Sequence, residues 1–225
     1  DIHLRSWHGA GAISSYFLNQ VKMQDHKPNI LKDRRINHAR KLCYFGGRNE
    51  QFIRGFIKDV HHYDINSAYP TACLYLPSLR DKNFEYFKKI KESDLEDDTF
   101  GMVEVSWITD SKMGCFPFRL DPSNMVIFPT HGHGFYHWKE VKTAIDKGYD
   151  IKLGQAFILE KPYEFPLKEF ITKIMKVRLA YKKKKDLAHI PLKLGANGLY
   201  GKLAQKPVRK NKDETWFIPP YMELI

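Results

Sequence analysis

Asp64-Ile65-Asn66-Ser67-Ala68-Tyr69-Pro70 and, 122 residues further on, Lys193-Leu194-Gly195-Ala196-Asn197-Gly198-Leu199-Tyr200-Gly201 are the two stretches that decide how this 225-residue chain is read. The first follows Val60-His61-His62-Tyr63, a β-prone run that predicts a strand through Ile65, stopped by the turn formers Asn66 and Ser67. Pro70 then suits the opening of a helix over residues 70–76. Strand, turn and helix in succession are a common frame for phosphate sites, with Asp64 at the strand's end.

In the second stretch Lys193, Asn197, Tyr200 and Gly201 stand at i, i+4, i+7 and i+8, so at about 100° per residue they share one helix face. That face offers a cation, an amide, a ring and a gap. Leu192, Leu199 and Leu203 mark a different, apolar face, so the polar row has another task. A triphosphate suits Lys as a point charge, and a base suits a ring to stack on.

Outward from these stretches, residues 166–185 carry Phe170, Ile174, Val177 and Tyr181 at helical spacing with lysines between them. A second helix from Pro191 to about Gln205 makes a helical hairpin with the first. Val103, Val105 and Trp107 alternate with polar residues, and the apolar runs 125–128 and 152–159 predict further strands. His137 to Lys147, closed by Gly148, predicts a helix, as do Ile13, Tyr16, Phe17 and Val21 after the glycines at 9 and 11. Strands with interspersed helices give the class α+β.

Net charge is +11, and its distribution is uneven. Between Lys173 and Lys212 thirteen Lys or Arg face a single acid, Asp186, and the remainder is almost neutral. Such a segment is expected to meet phosphates. No run approaches the roughly 20 apolar residues of a membrane span, so no membrane partner is expected. Cys43, Cys73 and Cys115 stand far apart, which fits a reducing, intracellular setting without disulfides. The start, Asp1-Ile2-His3, has no initiator Met and reads as mid-protein.

Two clusters invite a metal assignment. His131-Gly132-His133 with His137 could bind zinc, but Gly132 and Gly134 predict a loop holding exposed or hydrogen-bonded histidines. Asp94, Glu96, Asp97 and Asp98 read as a solvated acidic loop. Gly46 and Gly47 predict a positive-φ backbone or a close approach.

The two decisive stretches resemble motifs A and B of family B DNA polymerases, D-x-x-S-L-Y-P and K-x-x-x-N-S-x-Y-G. Tyr44-x-Gly46-Gly47 resembles the Y-x-G-G element of the protein-primed subgroup, and Lys168 through Arg178 the first fingers helix. The resemblance implies a polymerase palm with a helical-hairpin fingers subdomain. Residues 1–40 would leave an exonuclease-like region, 41–165 form the palm with motif A and an insertion, 166–206 the fingers, and 207–225 the return to the palm.

It also implies an activity, nucleotidyl transfer of a dNTP to a primer hydroxyl on a DNA primer-template, that hydroxyl being either a 3′-OH or the side-chain OH of a terminal priming protein. Asp64, with the Ile65 carbonyl, would ligate a pair of Mg²⁺ ions. Ser67 and Ala68 would hold phosphates, Tyr69 would underlie the deoxyribose and exclude a 2′-hydroxyl, and Arg178 and Lys193 would clamp the triphosphate. Tyr200 would line the base pair beside Asn197, and Tyr44, Gly46, Gly47, Lys202 and Lys206 would meet DNA.

Departures from the family pattern are Gly198 in place of Ser, Ala68 in place of Leu, and His189 near an expected lysine. Motif C, Y-x-D-T-D, has no counterpart, since no Asp follows Asp213. The chain is therefore expected to hold nucleotide or DNA without turning over by itself. The alternative is a polymerase-derived binding module, although binding alone requires neither Asp64 nor Tyr69.

Overall fold

The computed structural model describes residues 9–26, 33–123 and 125–203. In chain order its elements are helices α1 (Ala10–Gln20), α2 (Arg34–Leu42) and α3 (Ala68–Cys73), strands β1 (Phe84–Phe87), β2 (Gly101–Ile108), β3 (Phe118–Leu120), β4 (Met125–Ile127) and β5 (His131–His137), helix α4 (Trp138–Asp146), strand β6 (Asp150–Leu159), and helices α5 (Lys168–Lys183) and α6 (His189–Leu203). The chain divides into two compact units, one of residues 1–27, 48–80 and 163–225, the other of residues 28–47 and 81–162.

The first unit is helical. Helix α1 follows Gly9, whose φ of 81° suits a residue without Cβ, and buries Ile13, Phe17 and Leu18. Helix α6 buries Leu192, Ala196, Leu199 and Leu203, the apolar face expected from the leucine spacing. Phe170 meets Phe17 edge to face at 5.5 Å. The apolar stripe expected on α5 is only partly used: Phe170 and Ile174 are half-buried, Val177 and Tyr181 are 38% and 37% exposed, and the buried residue of the helix is Ile171, outside that stripe. Between α5 and α6, Lys185 takes φ 56° and the Asp186 carboxylate accepts from the Ala188 amide at 2.8 Å. Helix α6 thus opens at His189, and Pro191 sits in its first turn, where a missing N–H leaves no bond unmade.

The second unit is an antiparallel sheet in the order β1-β6-β2-β5, with β3 and β4 paired separately. Along β2, Val103, Val105 and Trp107 face a core with Phe116, Tyr136, Trp138, Val141 and Ala144, the last three from β5's junction with α4 and from α4 itself. Met102 faces the other way, to Phe135, Phe157 and Ala39 of α2. The sheet is therefore covered on both faces, by α4 and α2. Gly148, at φ 79°, closes α4 as expected.

Three local expectations are corrected. Residues 60–65 form no strand: only the turn at Asn66 and Ser67 is present, because no described residue lies alongside to complete a ladder, and β-propensity without a pairing edge makes no strand. The histidine-glycine run is strand β5, not a loop. A Cβ on Gly132 would lie 2.6 Å from the ring of its cross-strand partner Trp107 and one on Gly134 3.0 Å from the ring of Tyr136, two residues along the same strand, so these glycines make room for aromatic rings. Gly46 has neither positive φ nor a neighbour within 4 Å of a Cβ position.

Candidate nucleotide-binding site

Helix α3 begins where the backbone of Ser67 enters the left-handed region at φ 56°, ψ 37°. For a residue with a Cβ this is an unusual conformation, and at a turn into a helix it re-aims the side chain. The Ser67 hydroxyl makes no capping bond to its own helix. It accepts instead from Arg178 Nη1 of α5 at 3.1 Å. The Nε of Arg178 is buried without a partner among the described residues. A half-buried guanidinium with one donor unused is short of an acceptor among the described residues.

One residue beyond Ala68, the Tyr69 ring stacks on Tyr200 of α6, centroids 5.3 Å apart and planes 30° apart. Such a pair contributes about 0.5–1.5 kcal/mol beyond area burial. Lys193, Asn197 and Gly201 are exposed on the same side of α6, with Tyr200 half-buried. The shared polar face anticipated from the spacing is therefore the solvent face of the helix.

Serine 14 is a part of this arrangement that the spacing gave no sign of. Fully buried on α1, its hydroxyl donates to the Gly195 carbonyl of α6 at 2.8 Å. A Cβ on Gly198 would lie 2.4 Å from that hydroxyl, and one on Gly195 2.4 Å from Ile13 and 2.7 Å from Phe17. Gly198 thus admits α1 close against α6. The glycine where the family pattern has serine was the available signal.

Asp64 and Ile65 are exposed on the unladdered segment, and Asp64 has no hydrogen-bond or ion-pair partner among the described residues. Among those residues no group of three or more His, Cys, Asp or Glu could hold a metal ion. A lone carboxylate with a backbone carbonyl does not fit a two-ion magnesium site, since Mg²⁺ gives up its waters reluctantly. His137 serves as the N-cap of α4, its Nδ1 accepting from the Lys139 amide at 3.2 Å, and burial lowers its pKa to about 4. His133 lies 3.2 Å from Glu104, and Lys161 bridges Glu96 and Asp98 at 2.6 Å each.

Tyr44 and Gly46 lie in the other unit. There Arg119 Nη2 donates to the Tyr44 carbonyl at 3.1 Å, and Phe45 is held between the Arg119 guanidinium and the Tyr136 ring. Lys202 is half-buried in the last turn of α6, and Lys206 lies outside the described residues.

Residues 12–219 match the family described as DNA polymerase type B, organellar and viral. The chain belongs to this family. Among curated relatives, a probable DNA polymerase of Neurospora intermedia is 26% identical over 202 residues, covering 85% of this chain and 20% of the relative. One of Ascobolus immersus is 29% identical over 190 residues, covering 80% and 15%. The chain thus spans about a fifth or less of their length.

Solved structures of Phi29 DNA polymerase share the fold. An orthorhombic crystal form has a TM-score of 0.63 at 16% identity, covering 87% of this chain and 36% of that one. A complex with primer-template DNA and incoming nucleotide substrates has a TM-score of 0.63 at 17% identity, covering 90% and 37%. The α+β class expected of a type B polymerase is the one observed.

Proposed function

We propose that this chain is the nucleotide-holding part of a DNA-directed DNA polymerase, which transfers a dNTP to a primer hydroxyl. The observation that carries the reading is the convergence of three elements far apart in sequence: the Ser67–Arg178 hydrogen bond and the Tyr69–Tyr200 stack bring the turn before α3, helix α5 and helix α6 to one place. Family membership supports it, as do relatives named probable DNA polymerases and a fold-neighbour solved with primer-template DNA and incoming nucleotide.

In this reading Arg178 gives its unused Nε–H to the triphosphate while Ser67 keeps the guanidinium in place, and Lys193 adds a mobile positive charge. The amides of Ser67 and Ala68 face the phosphates. The Tyr69 ring, braced by Tyr200, supports the sugar and leaves no room for a 2′-hydroxyl, and Tyr200 and Asn197 border the base. Residues 41–165 correspond to palm and insertion and 166–206 to fingers. Tyr44, Gly46, Gly47, Lys202 and Lys206 meet DNA, and the Y-x-G-G likeness favours a terminal protein as one source of the primer hydroxyl.

Magnesium would supply charge neutralisation at the phosphates, with Asp64 and the Ile65 carbonyl as ligands. The described residues alone do not make up its donor set and no Asp follows Asp213 in the sequence, so the chain by itself is expected to bind dNTP without incorporating it. Titration with a fluorescent dNTP is the test: the wild-type chain binds and Arg178→Ala binds about tenfold or more weakly, whereas a folded chain that ignores the nucleotide at millimolar concentration sinks the reading. On a primed template no extension is expected; extension that Asp64→Ala abolishes would show the isolated chain to be active.

A further inference from the structure

Helix α2 carries Arg34, Arg35, His38, Arg40 and Lys41 and no acid. It packs through Ala39, Ile36 and Cys43 onto Met102, Phe135 and Phe157 of the sheet. Two of its cations are engaged locally: Arg35 pairs with the N-cap Asp33 at 2.9 Å and lies 4.6 Å over the Tyr86 ring, and Arg40 donates to Asn37 at 2.8 Å. Arg34, His38 and Lys41, at i, i+4 and i+7, form the opposite, exposed stripe, and none of them pairs with an acid among the described residues.

Arg34 stands in the first turn beside the N-cap Asp33, whose carboxylate is engaged by the Arg35 amide and guanidinium. Seven residues of helix rise about 10 Å, too long for one phosphate and matched to several at about 3.4 Å along a strand. The stripe also runs directly into Tyr44 and Phe45, pinned by Arg119.

We propose that the Arg34-His38-Lys41 face of α2 is a docking surface for the phosphate backbone of duplex DNA, continuous with the Tyr44–Gly47 segment. The proposal rests on the reading that the chain works on DNA, but it concerns the unit that does not carry Arg178 and Tyr69. Charge is the whole of its recognition, so it reads no sequence.

Fluorescence anisotropy with a labelled duplex, repeated across salt concentrations, tests it. Arg34→Glu/Lys41→Glu should bind duplex at least tenfold more weakly, with the slope of log K against log salt reduced by about two. Arg34→Lys/Lys41→Arg keeps affinity and slope, and Arg34→Gln/Lys41→Gln stands in should the reversal fail to melt cooperatively. Duplex affinity and slope unchanged in the folded variant overturn the proposal, as does a loss confined to binding of polyglutamate. Binding of a fluorescent dNTP stays unchanged in all variants. Its absence in wild type, with duplex binding intact, would count against the proposed function and not against this surface.

Discussion

Arg178 shows how one side chain can be fixed by residues far from it in sequence. Its Nη1 is held by Ser67 and its Nε is left over, so removing Ser67's hydroxyl and removing the guanidinium should differ. A charge-assisted hydrogen bond contributes about 1.5–3 kcal/mol, so Arg178→Ala is expected to weaken dNTP binding some ten- to hundredfold. Ser67→Ala weakens it less, because the charge remains and only its direction is freed. Competition between fluorescent dNTP and NTP checks Tyr69 likewise: Tyr69→Ala narrows the preference for dNTP. His137 supplies a pH effect. Its folded pKa of about 4 lies below the unfolded value near 6.5, so the unfolded chain takes up the proton first as pH falls, and stability is lost from about pH 6.5 down to about 4. His137→Asn keeps a cap acceptor but does not titrate, so its melting temperature should fall less than wild type's between pH 7 and 5.

At the scale of elements, the α1–α6 contact makes a prediction of inverted sign. Gly→Ala in a free helix stabilises by about 1 kcal/mol. Gly198→Ala should instead destabilise by about 1–3 kcal/mol, because its Cβ meets the Ser14 hydroxyl, and Ser14→Gly should restore much of the loss in a double-mutant cycle read by denaturant unfolding. Gly132→Ala in β5 should cost a similar amount against Trp107. Here the limits of pattern reading are physical. The helical hairpin, α1, α4 and the strands around Val103, Met125 and Lys152 were legible because periodicity and capping are local. Strand β5 was missed because glycines that admit Trp107 and Tyr136 look, in one dimension, like glycines that turn a loop. The run 60–65 was overread because a strand needs a neighbour as well as propensity.

For the whole molecule, charge and connectivity matter more than any single contact. With thirteen Lys or Arg between residues 173 and 212 and a second basic helix in the other unit, affinity for DNA should fall steeply and linearly in log K against log salt, an expectation that anisotropy between roughly 50 and 300 mM salt, where the Debye length is on the order of 10 Å, can check. Residue identities and their order were enough to assign the polymerase motifs, the α+β class and the face shared by Lys193, Asn197 and Tyr200, because those follow from chemistry and helical period. Tertiary structure alone decided that Arg178 is anchored by Ser67, that Tyr69 leans on Tyr200 and that Gly198 is the seat of Ser14. Each of these is a contact between segments distant in the chain, and a contact is set by the packing of whole elements, which no local pattern encodes.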